Sequence, residues 1–452
     1  MIQYKVLIPE ISLLILAIIS FFYGFISRNY RTTYILSFLS ILTAIILSVF
    51  NFGQKEFTSE LIKIDLYRQT LRILVLFIGV FILGLSYSDL KLKSSKSVEY
   101  VFLLLLSLFG MNLMIVANDL LILYLALETF SLSLYILAGF YRKESLSIEA
   151  GMKYFILGTL SSIILLGSIV FFYAQTGSTS YETFKLLKTE NLNILLGVVF
   201  LISAFAFKLS LAPFHAWAPD VYQGAPTAVT AFLSTAPKVA VFGALINIFL
   251  SINLKLNIQD LIVIISALSM LVGNVLALRQ NNLKRMLAYS SIAHAGYMFM
   301  AFLLPEKELL ISLIPYLIVY VFMNLSAFAF IMNIKNGESI QNYLGVGRKN
   351  PLLSFCIIVI MFSLTGVPPT AGFIVKFNLF KNLLSYGYGS LVFFALLMSI
   401  FSAFYYLRPV FYLYKDSLVI DIYNHPLNNS MALSGALLLI FLGLFPNLLL
   451  IF

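Results

Sequence analysis

Apolar runs of roughly twenty residues recur along the whole chain, separated by short polar stretches and showing no strict alternation. In lipid only helices or closed barrels satisfy their own backbone, and runs of this length without alternation predict helices. Fourteen spans follow: 6–27, 33–52, 69–88, 98–117, 119–140, 149–174, 192–213, 227–253, 259–279, 286–304, 309–334, 351–385, 388–413 and 430–451. The fold class is an all-α polytopic membrane protein with short connections, so neighbouring spans are antiparallel. Two spans are interrupted: the seventh at Leu211-Ala212-Pro213 and the twelfth at Thr365-Gly366-Val367-Pro368-Pro369-Thr370-Ala371-Gly372. Proline removes a backbone donor and glycine offers no side chain to hold the turn. The breaks lie five helices apart, and an odd offset reverses orientation in the membrane. That is the trace of an inverted-topology repeat, whose broken helices point at a transport path. Ordinary kinking is the plainer reading of either break alone.

Composition agrees with the pattern. The 452 residues are 61% hydrophobic and 11% charged, with a mean hydropathy of +0.98, whereas soluble domains carry about 25% charged residues. With Tyr 26 and Trp 1, tyrosine is expected to supply most of any interfacial belt. The single cysteine, Cys356, excludes an internal disulfide, an iron–sulfur ligand set and a cysteine-rich zinc site. The three histidines, His215, His294 and His425, offer no obvious paired haem ligands. The net charge of +10 reads as cationic loops beside anionic lipid, not as nucleic-acid binding. Residues 6–27 are long enough to span, with no small-residue cleavage site following, so no removable signal peptide is expected.

Orientation follows from the loop cations. Loops after odd-numbered spans hold Arg28, Arg31, Lys91, Lys93, Lys96, Arg142, Lys143, Arg279, Lys284, Arg285, Lys335, Arg348, Lys349 and Lys415. Those after even-numbered spans hold Lys55, Lys63, Arg68, Lys185, Lys188, Lys255 and Lys307. The positive-inside rule then places both termini on the outer, periplasmic side.

Several ionisable groups lie inside the spans. Glu128 is nine residues past Asp119, a helix cap, and therefore ~14 Å into the bilayer. A carboxylate there costs about 2.5–3.5 kcal/mol and must face protein or water, protonate or pair. Lys208 stands in the seventh span before the break, and Lys238, eleven residues past Thr227, lies ~16 Å into the eighth. Snorkelling suits a lysine near a helix end but neither of these. Burial and a nearby carboxylate act in opposite directions on an ammonium group, so a lysine between them can be poised to exchange a proton. Lys376 follows the second break, ten residues before Tyr386. Lys153 sits about a turn into the sixth span beside Glu149, where snorkelling competes with a buried role. His294 lies about two turns into the tenth span, as hydrogen-bonded core or as a relay group. These six groups come from six helices and can form a polar row through a bundle. The Gly345-Val346-Gly347 stretch is too weak to read as a phosphate loop, and the chain has no Ser/His/Asp arrangement or nucleotide fingerprint.

Three strings carry a resemblance: Phe207 to Thr227, Leu283 to Tyr297, and Gly366 to Phe373. The chain resembles the antiporter-like membrane subunits of respiratory complex I over nearly its whole length, and most closely their subunit N type. The resemblance implies fourteen helices, with helices four to eight (98–254) and nine to thirteen (255–415) as inverted repeats, flanked by 1–97 and 416–452. It implies that Glu128 and Lys208 form the charge pair of the first half-channel. Lys238 is then the central connecting lysine, His294 a bridging group and Lys376 the outlet of the second half. Lys153 matches a further lysine of subunit N, and Pro213, Gly366, Pro368 and Pro369 mark the helix breaks. The M-type relative usually has glutamate where this chain has Lys376, and the L-type relative carries a long C-terminal extension where this sequence stops at Phe452.

The function so implied is proton translocation by a non-redox subunit of NADH:quinone oxidoreductase. It would bind no cofactor or metal itself; FMN, iron–sulfur clusters and quinone belong to partner subunits. Neighbouring K- and M-type subunits, lipids, and a bacterial inner membrane are expected. Two alternatives stay open. One is a subunit of a cation/proton antiporter or membrane-bound hydrogenase-type complex, using the same residues; the other is a non-pumping scaffold with static ion pairs.

Overall fold

The computed structural model describes residues 6–51, 57–89, 97–184, 192–251, 258–415 and 425–449. Lys55, Lys91, Lys93, Lys96, Lys185, Lys188 and Lys255 lie outside the described residues, as do the far ends of the spans expected at 33–52, 227–253 and 430–451. The expected division at 254/255 and most of the loop opening at 416 lie outside them too. The described chain is almost wholly helical: α1 (Ile8–Ser27), α2 (Tyr30–Phe50), α3 (Leu66–Ser88), α4 (Ser97–Val116), α5 (Leu120–Ala138), α6 (Ser145–Thr176) and α7 (Leu192–Leu209) come first. The short α8 (Trp217–Gly224) is followed by α9 (Thr227–Ser251), α10 (Gln259–Ala277), α11 (Leu283–Phe299) and α12 (Glu306–Ile331). The last four are α13 (Pro351–Thr365), α14 (Ala371–Ser385), α15 (Gly389–Leu413) and α16 (Pro426–Leu444). Among the described residues, 13 helices are long and apolar enough to cross a membrane. The twelfth expected span is present as α13 and α14, two halves on either side of its break.

Local chemistry sets the helix ends. Asp119 caps α5 by accepting from the amides of Leu121 and Ile122, and Asn282 caps α11 through the amide of Arg285. Asn350 caps α13 ahead of Pro351, which has no amide to satisfy. At the first break the chain turns through Ser210 (φ +61) and reaches Pro213; at the second it turns through Gly366 (φ +91) and reaches Pro369. In each case a left-handed residue stands three positions ahead of a proline whose preceding peptide is cis. The seventh helix therefore ends at Leu209, four residues before the expected boundary.

The chain forms two compact units, one of Met1–Leu209 with Gly224–Asn257, the other of Ser210–Gln223 with Ile258–Phe452. The segment after the first break thus belongs to the second unit. In the second unit that segment is tied down by Asp220, which accepts from Arg285 at 2.6 Å, and by the amide of Ala212, which donates to Ser269 Oγ at 2.9 Å.

Two cations expected in loops are buried. Arg68 pairs with Asp65, and Lys284 with Glu338 at 2.8 Å. The reason is that α3 and α11 each begin three residues earlier than expected, at Leu66 and Leu283, which draws both cations into a first helical turn. A further buried pair lies inside the expected spans themselves. Arg72 in α3 donates to Glu10 of α1 at 2.5 Å and to Gln69 Oε1 at 2.7 Å, and both charges are buried.

Removing one partner of such a pair strands the other, at a cost of about 3–5 kcal/mol, while replacing both by apolar residues is often neutral. In thermal unfolding in detergent, Arg72→Ala is expected to melt well below the wild type, and Glu10→Leu/Arg72→Leu to recover most of the loss. Equal melting of all three proteins would remove this pair from the account of stability.

Candidate functional site

In the first unit, Glu128, Ser131 and Tyr135 occupy positions i, i+3 and i+7 of α5 and so share one helix face. Lys208, the penultimate residue of α7, reaches that face. Its buried ammonium donates to Ser131 Oγ at 2.9 Å and to Tyr135 Oη at 3.1 Å, and lies 5.4 Å from the Tyr135 ring centroid. Its place in the last turn of α7 is favourable for a cation, since the helix carbonyls there are unpaired. Glu128 and Lys208, the charge pair that the resemblance implies, make no direct ion pair here. Glu128 Oε1 is buried with no hydrogen-bond partner among the described residues. The physical reason is that two neutral oxygens farther along the same face take the ammonium instead. Packing holds the phenol in place. Tyr135 meets Tyr154 and Phe155 edge-on at 4.7 and 5.8 Å between centroids. A Cβ on Gly158 of α6 would stand 2.1 Å from Tyr135 Oη, so only glycine leaves the phenol its position.

The other two candidate lysines of this unit differ sharply. Lys238 is 1% exposed, one residue past Pro237 inside the otherwise continuous α9. Proline at that position cannot donate to the carbonyl of Leu233. Lys153 has 39% of its side chain exposed and pairs with Glu149 at 2.6 Å, one turn away on α6. It therefore stands apart from the buried groups with which the sequence grouped it, because its face of α6 points outward.

In the second unit His294 is buried within tyrosines. Its Nδ1 lies 3.0 Å from Tyr316 Oη and its Nε2 3.3 Å from Tyr406 Oη, which also bonds Ser290. The rings of Tyr320 and Tyr297 approach at 5.6 and 6.0 Å. The network widens through Ser291, 2.8 Å from Tyr320 Oη and 3.5 Å from Tyr222 Oη. It widens again through Asn274, which accepts from Tyr405 at 3.0 Å and donates to Tyr297 at 3.5 Å. These tyrosines are buried, so they belong to the core and not to an interfacial belt. Their signal in the sequence is their spacing. Tyr316 and Tyr320 are i, i+4 on α12, and Tyr405 and Tyr406 lie well inside α15.

Lys376, on α14, turns back to the end of α13. Its ammonium donates to the carbonyls of Leu364 and Thr365 at 3.0 and 2.8 Å and to Ser399 Oγ at 3.3 Å. It thereby satisfies the orphan carbonyls of a half-helix and sits at the negative end of its dipole. Gly366 makes this approach possible, with φ +91 and a Cβ position only 3.1 Å from Lys376 Cδ. Among the described residues no group of His, Cys, Asp and Glu could hold a metal ion. What the arrangement can do is exchange protons among buried lysines, a histidine and hydroxyl groups.

The family model described as NADH:quinone oxidoreductase/Mrp antiporter, TM, matches residues 117–402. The chain is 39% identical over 417 residues to NADH-quinone oxidoreductase subunit N 1 of Thermodesulfovibrio yellowstonii, covering 91% of this chain and 90% of that one. It is 38% identical over 429 residues to NADH-quinone oxidoreductase subunit N of Trichlorobacter lovleyi, covering 91% and 88%. A chain of respiratory complex I from Thermus thermophilus superposes with a TM-score of 0.86 at 32% identity, covering 98% of both chains. The Mrp complex from Dietzia sp. shares the fold at a TM-score of 0.86 and 17% identity, over 98% of this chain and 95% of that one.

An alanine at 366 would have to adopt a left-handed conformation, at about 1–2 kcal/mol, while pressing on the Lys376 stem. Gly366→Ala is expected to lower the unfolding temperature in detergent; an unchanged temperature would show that the break relaxes without cost.

Proposed function

This chain belongs to the NADH:quinone oxidoreductase/Mrp antiporter family, in its subunit N branch, and from that premise we propose how its residues move protons. It is a proton-translocating membrane subunit, and its relatives are subunits of an enzyme complex. Glu128 serves as the counter-charge, Lys208 as the first proton carrier, Lys238 as the connecting lysine, His294 as the bridge and Lys376 as the outlet. Lys153 stands outside the relay. The observation that carries this reading is the Lys208 ammonium resting on Ser131 and Tyr135, on the same face of α5 as a carboxylate oxygen buried without a donor. A static ion pair would close; this one stands open.

Redox work in partner subunits, which hold FMN, iron–sulfur clusters and the quinone site, moves or neutralises Glu128. Lys208 then loses the counter-charge that favours its protonated form and gives up its proton towards Lys238. The proton continues through His294 and its tyrosine hydroxyls to Lys376, which releases it outward. Moving one charge against 100 mV costs about 2.3 kcal/mol. A hundredfold change in a group's proton affinity, about 2.7 kcal/mol, is enough to drive it. The two breaks act as inverted counterparts, a reading supported by the left-handed residue that precedes a proline by three positions in both. The chain sits in a bacterial inner membrane with both termini periplasmic, between K- and M-type subunits of the complex.

Lys208→Ala and Glu128→Ala, each in the assembled complex in membrane vesicles, are expected to cut proton translocation at least about tenfold, while electron transfer to an artificial acceptor persists. Wild-type proton-to-electron ratio and turnover in both variants would overturn the assignment.

A further inference from the structure

Lys208 has three N–H donors, and the partners described for its ammonium are neutral oxygens, Ser131 Oγ at 2.9 Å and Tyr135 Oη at 3.1 Å. Three residues before Ser131 on the same face, Glu128 Oε1 is buried and without a hydrogen bond. One helical turn is ~5.4 Å, a distance the flexible four-carbon stem of a lysine sweeps by changing rotamers. A hydrogen bond to a carboxylate is roughly twice as strong as one to a neutral oxygen, so a single hydroxyl would not compete with Glu128. Two hydroxyls accepting together match it. The phenol is also held in place independently of the lysine, by Tyr154 and Phe155 at its edges and by the missing Cβ of Gly158.

We propose that Ser131 and Tyr135 form a second, neutral docking station for the Lys208 ammonium, and that the ammonium alternates between this station and the Glu128 carboxylate. Ser131 and Tyr135 are positioning residues in this scheme, which rests on Lys208 as the first proton carrier. They carry no proton of their own across the membrane. They give the opened pair somewhere to rest, so that Glu128 can lose its partner without stranding a buried cation. Gly158 belongs to the same device, because it alone leaves room for the phenol.

The test uses the assembled complex in vesicles with Ser131→Ala/Tyr135→Phe, compared with Ser131→Thr, which keeps the hydroxyl, and Gly158→Ala, which displaces the phenol. Two readouts are followed: coupled NADH:quinone turnover, and the infrared carboxylate band assigned to Glu128 by its loss in Glu128→Gln. In the double variant the pair is expected to stay closed. Coupled turnover falls at least about fivefold, and the Glu128 band moves to the position of an ion-paired carboxylate, while electron transfer to an artificial acceptor is unchanged. Gly158→Ala moves both readouts in the same direction, and Ser131→Thr leaves them near wild type. Wild-type turnover and an unshifted band in the double variant would reduce the hydroxyls to packing groups and overturn the station. Should the double variant fail to assemble, the singles decide: equal loss in Ser131→Thr and Ser131→Ala overturns it, and loss in Ser131→Ala alone supports it. Failure of the relay itself is separate, since it shows as wild-type pumping in Lys208→Ala; loss there with an unaffected double variant overturns the station only.

Discussion

A buried ammonium must find acceptors, and Lys208 finds two hydroxyls on the face of α5 that also carries Glu128. Much of the first unit can be read as the means of keeping that arrangement. The break after Leu209 puts Lys208 at a helix end, where the unpaired carbonyls of its own last turn favour a positive charge. The i, i+3, i+7 spacing lines up carboxylate, hydroxyl and phenol on one side of α5. Gly158 and the aromatic edges of Tyr154 and Phe155 hold the phenol where the ammonium meets it. The result is a cation settled on neutral oxygens beside a carboxylate oxygen buried without a donor, a poise that a small movement can tip.

The second unit solves the same problem with different acceptors. Lys376 rests on the last carbonyls of α13, which exist as unpaired groups only because the helix breaks at Gly366. The break thus creates the acceptor, as the first break creates the helix end that carries Lys208. His294 lies among hydroxyls, with a tyrosine oxygen at each ring nitrogen. Either nitrogen can donate or accept there, so the imidazole can take a proton on one side and yield it on the other.

The span pattern was legible in the sequence because bilayer thickness demands long apolar runs. Both breaks were legible because proline and glycine leave few alternatives. Glu128, Lys208, Lys238, His294 and Lys376 stood out because charges and imidazoles are rare in apolar helices. What settles them did not stand out. Ser131 and Tyr135 are residues that a membrane helix carries for many reasons, and only their distance from Glu128 along α5 marks them. The tyrosines around His294 do not stand out in a chain that carries 26 of them. Arg72 and Glu10 lie inside the expected spans 69–88 and 6–27, near their ends, where hydropathy cannot tell a charge facing a neighbouring helix from one facing out. Lys153 was drawn into the buried set because hydropathy cannot tell which face of α6 it occupies. In each case the missing quantity was rotational position, which periodicity leaves undetermined in a helix apolar on every side.

The central claim is that Lys208 and Glu128 work as charges that change, not as charges that merely stay. The most direct measurement is the proton-to-electron ratio of the assembled complex carrying Glu128→Gln/Lys208→Met, which keeps size and shape while removing both charges. A relay built on this pair predicts that electron transfer continues while the protons attributable to this subunit disappear from the ratio. A wild-type ratio in that variant would contradict the account and leave the two groups as structural polar contacts.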